Sequence, residues 1–358
     1  MELLRSIPQL ESLRHEWNAL ADGQGHALLR HEWFLSAATT LHEAGDLAVA
    51  ATTSGGRLDA VAPLVRTVVG GVERLELIGA EALHEPTGFL ARDASAHERL
   101  LDEVLRLRRP LVLQRVTTMH EAMDLDTAAR GRGVLIVRRT DSSLAVPLVR
   151  GSDEVAGLPA KLRYDLKRAR TRAEARGTVT LDVVSPRPGE SDAALDAFIQ
   201  VEASGWKGRH GTALALNRRT GAFFRAYSRL AAEAGTLRLF FLRIGGAIAA
   251  AQIAVDVYGR LWVLKIGYDE ALARCSPGFL LTAEAIAYAS RQGLQSYEFL
   301  GCAEQWEERW RPVKRPCLLA VFYPWTVRGG VSASLDMAGA AWRRLRPRRN
   351  GRSEAARA

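Results

Sequence analysis

The stretch KIGYDEALARCSPGFLLTAEAIAYA, residues 265–289, begins with the pattern of a strand end and finishes with that of a helix. Pro277, in the Ser-Pro-Gly turn between them, suits the first turn of a helix, where its missing N–H is not needed. That turn carries backbone N–H groups without intrahelical partners and a partial positive charge, so it can bind a phosphate. Gly278 would let an anion approach the main chain. The stretch predicts an anion-binding turn, although an ordinary helix start would use the same residues.

Ionisable side chains lie just ahead of this turn. Tyr268 and Asp269 stand at the predicted carboxyl end of the strand, and both residue types can carry protons in a reaction. Lys265 interrupts the otherwise apolar run LWVLKIGY. A lysine inside a strand costs free energy unless it is paired or lines a wet groove. Lys265 therefore has two interpretations, a functional side chain in a groove or an edge lysine on the solvent side of the sheet.

A second group of chemically capable residues follows a predicted helix, in the glycine-rich stretch EASGWKGRHGT. The candidates in it are Glu202, Trp206, Lys207, Arg209 and His210. A loop of this composition could present an aromatic platform and cations to a sugar or a phosphorylated acceptor, with Glu202 as a reserve general base. It could equally be an irregular surface loop in which His210 has no function.

A third group lies in GCAEQWEERW, residues 301–310, after another predicted strand. Glu304 falls just after Gly301 at a predicted helix start, where a carboxylate is favoured by the helix dipole. Glu304 is therefore a candidate for binding substrate or for capping the helix. Cys302 has no adjacent histidine with which to form a catalytic pair.

Composition limits the possible classes of protein. The chain has 358 residues, of which 47% are hydrophobic and 25% charged, which is typical of a globular protein with two cores. We expect no transmembrane segment, since no run approaches the roughly 20 apolar residues that a span requires. The charged amino-terminal segment does not resemble a signal peptide, so the expected location is cytoplasmic. Three scattered cysteines predict neither a disulfide framework nor a metal site.

The net charge of +9 is compatible with an anionic partner, which could be nucleic acid, a phosphorylated cofactor or a membrane surface. Much of the excess lies in residues 161–176 and 342–352. The first of these is expected to be a helix with a solvated face. No helix-turn-helix, zinc finger or other recognition module is present, so a stable nucleic-acid complex is not expected.

The two halves of the chain repeat one order of predicted elements. Two β-type runs are joined across Gly55-Gly56 and again across Gly245-Gly246, and a Gly-Gly pair between alternating runs is typical of a hairpin. In each half a third strand leads through a loop containing Pro and Gly into a helix and another strand, and a last strand closes the half. These elements span 72–80, 94–107, 110–116 and 133–140 in the first half, and 259–269, 277–292, 294–301 and 316–324 in the second.

The second half has further predicted elements ahead of its hairpin, at 158–176, 178–184, 191–205 and 219–234, and a final helix at 329–345. This order predicts an α/β protein whose mixed sheet is mostly antiparallel, with one strand-loop-helix-strand crossover in each half. The expected domains are 1–150 and 151–328, followed by a helix and a basic tail over 329–358.

The element order and the crossover resemble the GNAT acyl-CoA transferases, and more closely the CelD/BcsL-like branch, which is associated with polysaccharide biosynthesis and related to the Fem-type transferases. The resemblance covers most of 158–324 and is carried by LPAKLRYDLKRARTRAEARG, VEASGWKGRHGTALA, WVLKIGYDEALARCSPGFLLTAEAIAYASRQGL and YEFLGCAEQWEERW. The first half resembles the divergent GNAT-like domain of such tandem proteins. The expected activity is therefore N-acylation, most simply N-acetylation by acetyl-CoA or another acyl-CoA, of a small or sugar-linked amine.

The resemblance also implies where acyl-CoA would bind. Strand 261–268 would part from strand 296–300, with the pantetheine arm in the gap and the backbone of Ile266 and Gly267 polarising the thioester. The pyrophosphate would lie at Ser276, Pro277, Gly278, Phe279 and Leu280. Tyr268, Asp269, Lys265 and Glu202 are then the candidates for the proton steps.

This chain departs from the family pattern at the phosphate loop. The usual Gln/Arg-x-x-Gly-x-Gly/Ala is reduced to residues Arg274, Cys275, Ser276, Pro277 and Gly278, so fewer amides can converge on the phosphates. An aminoacyl-tRNA donor, as in the Fem-type relatives, therefore stays open. A non-catalytic or nucleic-acid-binding protein with a degenerate GNAT fold is a further alternative.

Overall fold

The computed structural model describes residues 1–43, 45–117, 119–149, 157–205 and 214–345. Its strands are β1 Glu2–Leu4, β2 Val49–Ser54, β3 Arg57–Ala62, β4 Leu64–Val69, β5 Val72–Leu77, β6 Leu90–Ala91, β7 Leu111–Val116, β8 Gly133–Pro147, β9 Val179–Val184, β10 Leu237–Ile244, β11 Ala247–Val257, β12 Arg260–Tyr268, β13 Ser296–Leu300 and β14 Val313–Pro324.

The helices within these ranges are α1 Ile7–Ser12, α2 Arg14–Gln24, α3 His31–Leu41, α4 Ala80–Leu83, α5 Ala94–Arg106, α6 Met119–Ala129, α7 Ala160–Glu174, α8 Ser191–Ala203, α9 Arg218–Glu233, α10 Pro277–Arg291 and α11 Val327–Leu345. Short 3₁₀ helices lie at Ala27–Leu29, Glu270–Cys275 and Glu308–Trp310. Every described helix is too short or too polar to cross a membrane.

Most strands join one ten-stranded mixed sheet, in the order β4-β5-β7-β14-β8-β13-β12-β11-β10-β9. A smaller sheet has the order β1-β2-β3-β6. Both predicted Gly-Gly hairpins are present, as β2-β3 and β10-β11. The described strands of the large sheet form two parallel pairs, β5 with β7 and β12 with β13, and each pair is joined through a crossover helix, α5 or α10. The predicted α/β fold class, a mixed and mostly antiparallel sheet with one strand-loop-helix-strand crossover in each half, is confirmed.

The last strand of each half does not close its own half, as the sequence had predicted, but closes the other. β8, from the first half, pairs with β13 of the second half, and β14 pairs with β7 of the first. β8 and β14 also pair with each other from Val313↔Ala145 to Pro324↔Gly133. This long antiparallel ladder makes the two halves one continuous sheet. The predicted boundary at residue 150 falls outside the described residues, and the division into domains stays a prediction.

Helices of the first half also share a core with helices of the second. On one face of the sheet, α3 packs against α9, where the ring centroids of Trp33 and Phe223 are 4.8 Å apart. On the other face, α7 and α10 cover the second half of the sheet. Because β12 lies between these two layers, its side chains reach a different set of neighbours on each face.

Candidate active site

The strands β12 and β13 part after three residue pairs. Their parallel pairing runs from Arg260↔Ser296 to Trp262↔Glu298 and then ends. Beyond it, β12 stays paired with β11, while Leu300 of β13 pairs with Leu144 of β8. The result is a wedge-shaped gap between Val263–Tyr268 and the end of β13. The predicted parting of these strands is confirmed.

A β-bulge at the start of the gap determines which face each side chain occupies. The register shifts between Ala254↔Val263 and Ile253↔Lys265, so Leu264 is the extra residue. Lys265 then faces α9, with its Nζ 5.4 Å from the centroid of the Phe224 ring. Since side chains alternate along a strand, Ile266 and Tyr268 face α10. Bulges of this kind re-aim side chains beside active sites.

On the α10 face, the Tyr268 ring lies against Gly278. A Cβ added to Gly278 would be 3.5 Å from the Tyr268 ring, so the strand end and the first turn of α10 are in contact. The preceding Ser276 adopts a left-handed conformation, with φ 51°. These positions form one wall of the gap.

The backbone at this turn offers fewer amides than the sequence had suggested. The Ser276 carbonyl accepts hydrogen bonds from the N–H groups of both Phe279 and Leu280, each at 3.1 Å. Pro277 has no N–H, so Gly278 supplies the one N–H of this turn without an acceptor among the described residues. The expected set of bare amides is thus reduced to one, because the left-handed Ser276 turns its carbonyl under the helix start.

Asp269 and Arg274 belong to the 3₁₀ helix Glu270–Cys275 that follows β12, Asp269 as its N-cap. The Asp269 Oδ1 accepts a hydrogen bond of 2.9 Å from the Ala271 N–H and so caps the 3₁₀ helix Glu270–Cys275. Arg274 is exposed on that helix, and Cys275 is buried. The capping bond engages the Asp269 carboxylate structurally, and its predicted role in proton transfer stays a prediction.

On the opposite face, Glu202 of α8 is packed directly against β12. Gly267 makes this possible, because an added Cβ would lie 2.9 Å from both Cα and Cβ of Glu202. The Glu202 side chain is buried and its Oε2 accepts a hydrogen bond of 2.9 Å from the Leu214 N–H. Lys265 and Glu202 thus lie on the same face of the strand. The four loop candidates Trp206, Lys207, Arg209 and His210 lie outside the described residues.

A carboxylate from the first half, which sequence reasoning missed, reaches the same end of the gap. The Glu85 Oε2 accepts a hydrogen bond of 2.7 Å from the Gly301 N–H, just after β13. Burial raises the pKa of Glu85, and this bond together with the charges of Lys265 and Arg115 opposes the rise. In the sequence, the loop HEPTGF that carries Glu85 stands out only as the first-half counterpart of CSPGF, and nothing in it indicates a functional carboxylate. A contact across 216 residues leaves no local signal.

Arg115 fixes the segment that Glu85 touches. Its Nη1 donates to the Asp141 carbonyl at 2.8 Å and lies 3.1 Å from the Cys302 Sγ, and its Nη2 donates to the Gly301 carbonyl. Arg115 ends β7 of the first half, so the first half holds both the N–H and the carbonyl of Gly301. Burial raises the pKa of the Cys302 thiol, which does not favour a nucleophilic thiolate there.

Residues 301–310 bridge the two sides of the gap. Trp306 packs on Phe299 of β13 with ring centroids 5.6 Å apart, and Trp310 packs on Phe279 of α10 at 5.3 Å. Instead of the predicted helix at Glu304, this segment has turns and the 3₁₀ helix Glu308–Trp310.

Glu304 and Glu307 hold that segment together. The Glu304 Oε2 accepts from the Trp306 indole N–H at 2.7 Å, and the Glu307 Oε2 accepts from the Glu304 N–H at 3.0 Å. Burial raises the pKa of Glu307 to about 7, and the charges of Glu304 and Glu85 act in the same direction. Glu307 therefore titrates near neutral pH, which the sequence did not indicate. Its titration is coupled to Glu85 at the end of the gap.

Comparison with known families agrees with this geometry. A family model described as an acetyltransferase (GNAT) domain matches residues 160–308. The matched segment is similar to this family and includes both strands of the gap and the turn at Gly278. The predicted CelD/BcsL-like branch stays a prediction. In the described part of the chain, no group of three or more His, Cys, Asp and Glu side chains is arranged to hold a metal ion.

Solved structures share the fold of the whole chain. The C-terminal domain of a putative lysylphosphatidylglycerol synthetase from Agrobacterium fabrum is 15% identical, with a TM-score of 0.58, over 93% of this chain and 96% of that one. A lysylphosphatidylglycerol synthetase structure from Bacillus licheniformis is also 15% identical, with a TM-score of 0.56, over 92% and 96% of the two chains. FemX is 11% identical, with a TM-score of 0.61, over 89% and 97%. No curated protein sequence matches the chain.

Proposed function

We propose that the chain is an acyl-CoA-dependent N-acyltransferase, acting as an N-acetyltransferase on a small or sugar-linked amine of polysaccharide or cell-envelope synthesis. The observation that carries the proposal is the gap between β12 and β13, with the Tyr268–Gly278 wall on one face, Lys265 and Glu202 on the other, and Glu85 at its end. A thioester lying in such a gap would have the turn at Gly278 on one side, for the rest of the acyl donor, and the face of Lys265 on the other, for the acceptor amine.

Acyl transfer to an amine forms a C–N bond and breaks a C–S bond, and two protons must move. The amine would approach on the face of Lys265, where the carboxylate of Glu85, with Glu202 as the alternative, accepts the proton that the amine loses. The Tyr268 hydroxyl would give its proton to the departing thiolate. The positive charge of Lys265 would stabilise negative charge that develops on the carbonyl oxygen.

Acyl-CoA would supply the activated acyl group. The turn at Gly278 has some of the features that would bind its pyrophosphate. The small side chain leaves the main chain open beside Tyr268, but a single N–H is available to a phosphate oxygen. The exposed guanidinium of Arg274 on the adjoining 3₁₀ helix adds a positive charge. Most of the donor's binding free energy would then come from the gap itself.

The reduced set of amides favours one second candidate, a Fem-type aminoacyl-tRNA-dependent ligase. Such a donor would not need a pyrophosphate cradle at Ser276–Gly278, and the fold similarity to FemX is consistent with it. The acceptor face would serve either donor, because both reactions join an acyl group to an amine.

Calorimetric titration with acetyl-CoA tests the donor. We expect binding well below about 1 mM, as is usual for an enzyme substrate, and loss of that binding in Gly278→Glu, which places a carboxylate in the phosphate turn. Gly23→Glu is the matched control, because an added Cβ there meets nothing within 4 Å.

Absence of binding by the unaltered chain at millimolar acetyl-CoA would refute the acyl-CoA proposal. A salt-sensitive gel shift with charged tRNA would then support the second candidate. Consumption of acetyl-CoA in the presence of a panel of amino-sugars and amino acids would identify the acceptor class.

A further inference from the structure

The C-terminal helix α11 turns its apolar side away from the protein. Its large apolar side chains recur at helical spacing on one stripe, and they are solvent-exposed: 85% for Val327, 43% for Val331, 36% for Leu335 and 61% for Trp342. In a surface helix of a globular protein, such a stripe normally faces the core. In α11 the apolar stripe faces the solvent instead.

The face of α11 that meets the sheet is small and polar instead. Gly329 lies so close to the Pro324 carbonyl that no Cβ could be accommodated, and Ser332 is buried. Asp336 accepts a hydrogen bond of 2.8 Å from the Tyr323 hydroxyl and pairs with Arg74 at 3.4 Å. These contacts fix which side of α11 faces inward, so the exposure of the apolar stripe is set by the fold.

The stripe is continuous with apolar residues outside the helix. Leu335 lies against Gly70 in the turn between β4 and β5, and the last two residues of β4, Val68 and Val69, are exposed. Trp325, just ahead of the helix, is also exposed. Contiguous exposed patches of this kind mark sites of protein or membrane interaction. Tryptophan at both ends of the stripe suits a membrane interface, where an apolar ring and a polar N–H are both accommodated.

The charge of the adjoining sequence distinguishes between a membrane and a second copy of the chain. Residues 343–358 contain seven arginines and one glutamate. A second copy seated on the stripe would bring two such segments together, whereas an anionic lipid surface would neutralise them. Basic residues close to an anionic surface are attracted to it.

We propose that the exposed stripe of α11 docks the protein on an anionic phospholipid surface, which the positive charge of the adjoining sequence favours. The helix would lie in the plane of the interface, with Val327, Val331 and Trp342 among the acyl chains. This inference does not depend on the proposed transferase activity.

Vesicle flotation with the full chain tests the proposal. The probes are vesicles of phosphatidylcholine containing about a third phosphatidylglycerol, and vesicles of phosphatidylcholine alone. We expect binding to the anionic vesicles, weaker binding in high salt, and at least about tenfold weaker partitioning for the double variant Val331→Ser, Trp342→Ser, since two large apolar side chains lose their burial. The matched control is Tyr164→Ser, Leu216→Ser, which removes two side chains that are each 60% exposed elsewhere on the surface.

Three results would overturn the proposal. They are no binding of the unaltered chain to the anionic vesicles, equal binding to both kinds of vesicle, and binding that the stripe variant retains. Sedimentation analysis of the same two double variants tests the alternative that a second copy of the chain binds the stripe. A dimer that the stripe variant alone dissociates, in a chain that does not float with vesicles, would assign this face to contact between copies. Thermal melting checks that both variants keep the fold.

Discussion

Replacing Glu307 by glutamine should change how the stability of the protein depends on pH. Glu307 is buried within the segment that bridges the gap, and its pKa is raised from 4.5 to about 7. Between these two pH values the folded chain holds a proton that the unfolded chain has lost. The free energy of unfolding therefore falls as pH rises through this window, and this contribution is level below and above it.

The size of the effect follows from the two pKa values. From pH 5 to pH 8, ionising Glu307 lowers the free energy of unfolding by about 2.5 kcal/mol, at 1.36 kcal/mol per pKa unit. The amide oxygen of glutamine can still accept from the Glu304 N–H, but it does not ionise. Relative to the unaltered chain, Glu307→Gln should therefore gain about 2.5 kcal/mol between pH 5 and pH 8.

Urea unfolding at the two pH values, followed by tryptophan fluorescence, measures this difference. With a slope of about 3 kcal/mol per molar urea, the difference between the midpoints of variant and unaltered chain should grow by about 0.8 M from pH 5 to pH 8. Titrating groups that do not interact with Glu307 are shared by both chains and cancel. Glu308→Gln, at the exposed neighbouring position, is the control and should run parallel to the unaltered chain. Parallel midpoints for Glu307→Gln as well would refute the assignment of a raised pKa to this carboxylate.

Three further outcomes follow from the two faces of the gap. Gly267→Ala should lower the free energy of unfolding by about 1–3 kcal/mol through overpacking, measured by chemical unfolding, whereas Gly23→Ala, in open space on α2, should cost nothing. Glu85→Gln should lower kcat by about 10²-fold or more and remove the acidic limb of the kcat/KM profile, because activity otherwise rises with pH as this base loses its proton; an unchanged limb would assign it to another group. Tyr268→Phe should lower kcat by a similar factor with little change in KM for the acyl donor, since the ring remains, and steady-state rates equal to those of the unaltered chain would exclude Tyr268 as the acid.

Local patterns in the sequence were enough to predict the hairpins and crossovers of the fold. The Gly-Gly pairs fixed both hairpins, and the Ser-Pro-Gly turn before α10 located the crossover at which β12 and β13 part. These features depend on residues close together in the chain, whose conformational preferences are strong. The position of Glu202 against Gly267 was also within reach, because a glycine near a strand end often allows a close backbone approach.

The remaining features depend on contacts between distant residues. The pairing of β8 with β13, and of β14 with β7, involves strands whose alternating pattern fits many partners, so the sequence gives no preference among them. The contact of Glu85 with Gly301 follows from that pairing and could not be predicted without it. The carbonyl of Ser276 under the start of α10 depends on one backbone conformation, which serine adopts rarely.

The crossed pairing of β8 and β14 has a consequence for any attempt to divide the chain. A fragment ending near residue 150 would keep β7 without β14, and a fragment beginning there would keep β13 without β8. Each fragment would then expose unpaired backbone N–H and C=O groups on a strand that is interior in the whole protein. Such edges pair with other chains and lead to aggregation. The ten-stranded sheet cannot be completed until both halves have been synthesised, so the two halves should fold and unfold as a unit.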